Sequence, residues 1–393
     1  MPNIKRGMMG AAGVSGDPNQ GTFWTWGQNE AGDLGIGTQS YAPTKSPVQV
    51  GSASDWQSVD LENYAINKMS DGHDSSMAIG GSGKLYTWGS GYSGGGGRGN
   101  TTSVCVPTQV GSATNWHTCT IGSETTYATN TAGELWFIGG DGAYGQNGQG
   151  TTTDYSNPVQ IGTETYWVSV YGTNRFALAI TNHGSADDGK LYAWGINQQG
   201  QCGQGNTDPN SYSSPVQIGS LTTWKQGCTT EDWCAALKSD GTMWAWGQNT
   251  VGQLGQGNTT SYSSPVQVGS DTDWAVMTID VKNTLYGIKT GGTLWCCGEN
   301  SHGQLGQGNT TDTSSLVQVG SLTNWKLITT GDRCAVAVKT DNTLWAWGSG
   351  LNGCLGQDST TDYSSPIQVG SATDWLSVGT DGQGRHIQAI RSV

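Results

Sequence analysis

Residues 234–274 read CAALKSDGTMWAWGQNTVGQLGQGNTTSYSSPVQVGSDTDW. Two short apolar runs flank Ser239-Asp240-Gly241, and an Asp-Gly step between such runs is a strong hairpin signal. Alternation in Met243-Trp244-Ala245-Trp246 puts both tryptophans on one face of a strand. The following GQNTVGQLGQGNTTSYSS is too rich in Gly and Asn for a regular element. SPVQVGS predicts another strand; Pro265 is tolerated at its start, where no ladder hydrogen bond need be donated. Trp274 then opens a further strand, WAVMTID. The unit is four short strands, which is one blade of a β-propeller.

Working outward, the Trp-Gly cassette recurs with closing glycines at Gly27, Gly89, Gly139, Gly195, Gly247, Gly298 and Gly348. A Pro-Val-Gln-Val-Gly-Ser-like cassette follows each, and then a lone tryptophan: Trp56, Trp116, Trp167, Trp224, Trp274, Trp325 and Trp375. Self-similarity at about 50 residues marks an array of like units. We therefore expect an all-β, seven-bladed β-propeller of four-stranded blades. Of the 18 tryptophans, all but Trp233 fall on three repeat positions. Burial of each removes roughly 200 Å² from water, so core packing accounts for them. The chain ends HIQAIRSV, matching the strand that elsewhere precedes a cassette, and Gly21–Gly27 supplies the missing partner. Pairing of the N- and C-terminal strands is expected to close the ring and remove open edges. Residues 17–393 form the expected propeller and residues 1–16 an N-terminal arm.

Bulk composition excludes several classes. The net charge is −13, from 17 Lys+Arg against 30 Asp+Glu, and no basic cluster exists to neutralise phosphates. No nucleic-acid partner is expected. No run of 18 apolar residues is present, so no membrane insertion is expected. The first 16 residues lack the apolar core of a Sec signal. Nine cysteines at irregular spacing, with no C-x-x-C, read as buried small hydrophobes in a reduced environment. The five histidines have no metal-ligand spacing, and no nucleophile elbow or phosphate loop occurs. Asp17–Gly21 and Asp187-Asp188 lack the trailing Glu of a calcium loop and read as solvated turns. No metal, no cofactor and no enzymatic activity are expected.

The stretch Trp244–Thr260, WAWGQNTVGQLGQGNTT, resembles the repeat of the regulator of chromosome condensation family. Cys297–Thr311, Trp26–Thr38 and, less fully, Trp347–Thr361 resemble it too. The resemblance implies a seven-bladed propeller. The family's archetype drives nucleotide exchange on a small GTPase while sitting on chromatin. The family's Gly-x-x-His-Ser-x-Ala-Leu run is approximated only by Gly72–Ile79, and no basic tail is present. The Thr/Ser/Gly-rich loops resemble phage and bacterial members more closely.

Function is sought where repeats differ. Trp56 and Trp167 stand unusually far from their next closing glycines. The first excess lies in Asp60–Asp74, and the second enlarges a hairpin at Thr181–Lys190. Turns of a meander alternate between faces, so the two insertions are expected on opposite faces. Loops on a rigid scaffold often carry binding, while surface insertions are also tolerated without function. The binding candidates are Tyr64, Lys68, His73, Asp74, His183, Asp187 and Asp188. Ile4, Lys5, Arg6, Met8 and Met9 are candidates for a docking arm. Polar, lysine-poor loops without a signal peptide favour a phage virion structural protein: a tail fibre, tail tip or capsid decoration. The expected partners are other virion proteins through the arm, and a host-surface receptor or glycan, with several copies per assembly. The expected location is the virion, assembled in host cytoplasm. One alternative is a bacterial secreted or surface propeller that binds proteins, as an inhibitor or adhesin. The second is a cytosolic regulator of a GTPase-type partner.

Overall fold

The computed structural model describes residues 20–57, 68–182, 189–207, 211–379 and 384–393. Seven antiparallel sheets, each built on a four-strand meander, are arranged in chain order. Blade one runs from the inner strand Met69–Asp71 to the outer strand Val104–Gln109. Blades two to six begin at Trp116–Ile121, Trp167–Gly172, Trp224–Thr229, Trp274–Ile279 and Trp325–Gly331. Blade seven is composite, as expected: Gln20–Asn29 pairs with His386–Arg391, with Phe23 opposite Ile390 and Gly27 opposite His386. Its outer strand is Ser40–Gln49 and its inner strand Trp375–Val378.

The repeat motif has a packing reason. The second cassette tryptophan is fully buried in blades one, three, four, six and seven, as Trp88, Trp194, Trp246, Trp347 and Trp26. Each indole donates to a main-chain oxygen in the Gly-rich loop of the preceding blade. Trp246 reaches Gln201 at 2.7 Å and Trp347 reaches Gln304 at 2.7 Å. The second glycine of Gly-Gln-Leu-Gly permits that approach: at Gly306, with φ +65°, a Cβ would sit 3.0 Å from Trp347 Nε1. The loop's Asn braces it from within. Asn249 Nδ2 donates to Asn258 and Thr260 carbonyls, and its Oδ1 accepts from Leu254 N–H. These loops bond many of their own polar groups and staple neighbouring blades together.

Two details differ from the sequence reading. In blade two the glycine that pairs like the others is Gly140, opposite Thr125, because a bulge after Phe137 adds a residue. Trp233 also holds a repeat position: it starts the second strand opposite Gly247, where Ser75, Phe176, Thr284, Cys334 and His386 stand in other blades.

Because strands alternate in direction, the molecule has two distinct ends. One carries the turns between first and second strands and the long Gly-rich loops; we term it the loop face. The other carries the tight turns between second and third strands and the linkers into each next blade; we term it the hairpin face.

Candidate protein-binding face

Both insertions spring from the hairpin face, contrary to the expectation of opposite faces. The second lies in a hairpin, where Thr181 N–H bonds Lys190 O at 3.0 Å. The first occupies no turn. It interrupts the innermost strand of blade one, leaving after Gln57 and rejoining at Lys68. Trp56 bridges Gly80, and Ile79 N–H bonds Lys68 O at 2.8 Å, so both flanks sit at the hairpin end. The alternation rule failed because it applies to turns, and this insertion splits a strand.

The sequence candidates divide. Tyr64, His183, Asp187, Asp188 and the arm residues Ile4, Lys5, Arg6, Met8 and Met9 lie outside the described residues. Lys68 is on the hairpin face, where its Nζ donates to His117 O and stands 3.5 Å from His117 Nδ1. His73 and Asp74 are on the loop face, joined at 2.8 Å, and that histidine holds the Asp74 carboxyl below its usual range. His73 is two residues out of phase with the histidine of the family's run. In that register position stands His386, which sequence reading passed over. Ser76 Oγ lies 2.7 Å from His386 Nε2 and donates to Asp33 O at 2.7 Å. Trp88 Nε1 donates to the same oxygen. Burial pushes Asp33 up to about 7 and His386 down to about 4. The group knits the closing blade to blade one, so its role is at the seam.

On the hairpin face, blades two and three carry a depression of about 300 Å³. His117, Asn130, Thr131, Tyr166, Trp167 and Asn182 line it. His117 touches the rejoining flank of the first insertion, and Asn182 is the departing flank of the second. A second depression, of about 270 Å³, shares the Tyr166–Trp167 wall. Burial and the neighbouring Glu164 raise the Tyr166 hydroxyl pKa, so this ring is neutral at physiological pH.

The remaining hairpin face is built differently. In blades four to seven the second strand ends in a cation: Lys238, Lys289, Lys339 or Arg391. Lys289 Nζ lies 5.0 Å from the Trp274 ring and 5.4 Å from the Trp295 ring. Lys339 covers Trp325 and Trp345, and Arg391 covers Trp24 and Trp375. In blades one to three the corresponding residues are Gly80, Asn130 and Thr181. The sequence holds this signal, as KSDG, KTGG and KTDN against NTAG and TNHG, but only after the strands are in register.

A family model for the regulator of chromosome condensation (RCC1) repeat matches residues 188–236, 240–280 and 291–338. The chain is thus a seven-bladed propeller carrying RCC1 repeats. The chain is 29% identical to the ultraviolet-B receptor UVR8 of Arabidopsis thaliana over 248 residues, 61% of this chain and 52% of that protein. Similarity to the human E3 ubiquitin-protein ligase HERC2 is 28% over 254 residues, only 5% of that protein. The chain spans about half the length of UVR8 and a small part of HERC2. Among solved structures, Prp20p of Saccharomyces cerevisiae superposes with a TM-score of 0.77 at 18% identity, covering 95% of this chain and 92% of that one. That structure is described with binding properties to Gsp1p and histones.

These relatives are eukaryotic cellular proteins, and they overturn the virion reading. The partners expected with it, virion proteins and a host receptor or glycan, fall for the same reason. The error came from loop composition: Thr, Ser and Gly fill these loops because the stapling turns need them, whatever surrounds the protein.

Proposed function

We propose that this chain is a protein-binding propeller that regulates a GTPase-type partner and acts by binding, without covalent chemistry of its own. The observation that carries the reading is the convergence of both insertions on one face, beside a depression lined by His117, Tyr166, Trp167 and Asn182. The two longest departures from the repeat spacing have their flanks there, and departures on a rigid fold are where binding surfaces often arise. The relatives support it: similarity extends to a receptor and a ubiquitin-protein ligase, and the structural relative Prp20p is described with binding properties to Gsp1p and histones.

The test is direct. Purified small GTPases loaded with a fluorescent nucleotide are mixed with the full chain, and nucleotide release is followed. Accelerated release by one GTPase, lost when residues 58–67 or 183–188 are replaced by a short regular turn, supports the reading. Absence of both binding and acceleration across the panel overturns it.

A further inference from the structure

Blade five shows how this protein holds an ammonium group. Lys289 Nζ is enclosed by the Trp274 and Trp295 rings and by two carboxylates, Asp271 at 2.9 Å and Asp273 at 3.1 Å. Blade three repeats those positions. Trp167 stands for Trp274 and Tyr192 for Trp295, their rings 5.1 Å apart at 72°. Glu164, three residues before Trp167, stands for Asp271. Tyr166, immediately before Trp167, stands for Asp273, and its ring is 5.9 Å from that of Trp167. Two components change in kind: one carboxylate becomes the ring of Tyr166, and the cation is missing, because the residue opposite Trp167 is Thr181. Glu164, Tyr166, Trp167 and Tyr192 all line the 270 Å³ depression, and among its described lining residues there is no Lys or Arg.

We propose that this depression is a binding site for the side-chain ammonium of a lysine on a partner protein. Three aromatic rings and a carboxylate give the field that attracts an alkylammonium. The internal repeats also choose between the two basic side chains. Arg391 is held through two bonds to Asp374, at 2.8 and 2.9 Å, the residue immediately before its tryptophan. Blade three has Tyr166 there and cannot form that fork. Its acid, Glu164, is at one of the two positions that grip Lys289 and not at the one that holds Arg391, which favours lysine over arginine. The site deepens the protein-binding reading and rests on it for its biological partner, but the cage is testable alone.

The probe is Nα-acetyl-lysine N-methylamide titrated into the full chain and followed by saturation-transfer NMR, with the norleucine and arginine analogues as controls. Lysine should bind at least about fivefold more tightly than either control, as expected for one cation–aromatic contact. Thr181→Lys fills the cage with its own cation, as in blade five, and should abolish probe binding while the melting temperature holds or rises. Glu164→Gln, on a half-exposed side chain, should weaken the probe at least about fivefold and carries the test if Thr181→Lys does not fold. Equal binding of norleucine, tighter binding of arginine, or wild-type affinity in Glu164→Gln overturns the proposal. Loss of the cage with GTPase stimulation intact leaves the functional reading standing; a working cage with no GTPase response removes that reading alone.

Discussion

Blades four to seven and blades one to three use the same four strands and the same tryptophan positions, but they finish the hairpin face in different ways. In the first group each aromatic pair is capped by a cation from the blade itself, held by nearby carboxylates in blades four, five and seven. In the second group Gly80, Asn130 and Thr181 replace that cation, both insertions appear, and one depression is lined by His117 and Asn182 beside their flanks. The matches to the RCC1 repeat begin late in blade three and end in the second strand of blade six. Blades four to seven place a cation of their own over the hairpin-face tryptophans, and blades one to three carry no cation at that position. The difference teaches that in a repeat protein a site is found by asking which blade stopped satisfying itself.

The sharpest way to break this division is through the staple that most blades share. Trp347 is fully buried and donates to Gln304 O, so Trp347→Ala should destabilise by about 3–5 kcal/mol in urea unfolding. In blade two the bulge residue Ile138 packs against Gly97, where the indole packs in other blades, and makes no such bond, so Ile138→Ala should cost less, about 2–4 kcal/mol. Equal losses would mean that the indole staple adds nothing beyond volume.

Next in size is the cation cap. Lys289→Thr gives blade five the residue of blade three, stranding Asp271 and Asp273 beside bare tryptophans. We expect a loss of about 1–2 kcal/mol that shrinks in high salt, together with new affinity for the lysine probe. A variant that loses stability but gains no binding would show that the cage of blade three depends on Tyr166 as well as on a missing cation.

A third test uses pH. Asp280 lies at the first turn of blade five, fully buried, with Oδ1 accepting from Lys282 and Thr284 N–H and Oδ2 unpartnered. Burial pushes its pKa up to about 8. An acid raised in the folded state contributes stability at low pH that is lost as pH rises through that value. Asp280→Asn should therefore change stability little near pH 4 and raise the melting temperature relative to wild type by an amount that grows from there to about pH 8 and then levels off. His386 works the other way: its folded pKa is lowered to about 4, so its contribution is present above its ordinary value and is lost as pH falls toward 4. Between about pH 4 and 6.5 the two contributions thus run in opposite directions, and above that range the loss at Asp280 continues toward pH 8.

The architecture was legible because it follows from local rules repeated in phase. Ser239-Asp240-Gly241 announced a hairpin, Trp244 and Trp246 announced a face, and HIQAIRSV announced a missing partner strand. The site was legible only in part. Spacing from Trp56 and Trp167 located both insertions, but not their face, because the first splits a strand rather than enlarging a turn. Glu164 and Tyr166 were invisible as candidates, since each is unremarkable alone and acquires meaning only beside Asp271, Asp273 and Lys289 in register. His386 was passed over because the terminal strand was read for closure, and its contact with Ser76 spans the whole chain.

The smallest effect on stability should come from the segments that matter most for binding. Replacing residues 183–188 by a tight turn of the Ser239–Gly241 kind joins Asn182 to Gly189, whose backbone bonds to Tyr166 and Trp224 already fix both flanks. Shortening a surface loop changes closure entropy by only about 0.6 kcal/mol per halving of its length, so unfolding should shift by less than about 1 kcal/mol. Partner binding should nevertheless be lost, because Asn182 and Tyr166 border the depression that the segment adjoins. If instead the replacement destabilises the protein as much as Lys289→Thr does, the segment is a cap that blade three uses in place of a cation. The division between a self-satisfied half and an open half would then fail at the blade where it is drawn most sharply.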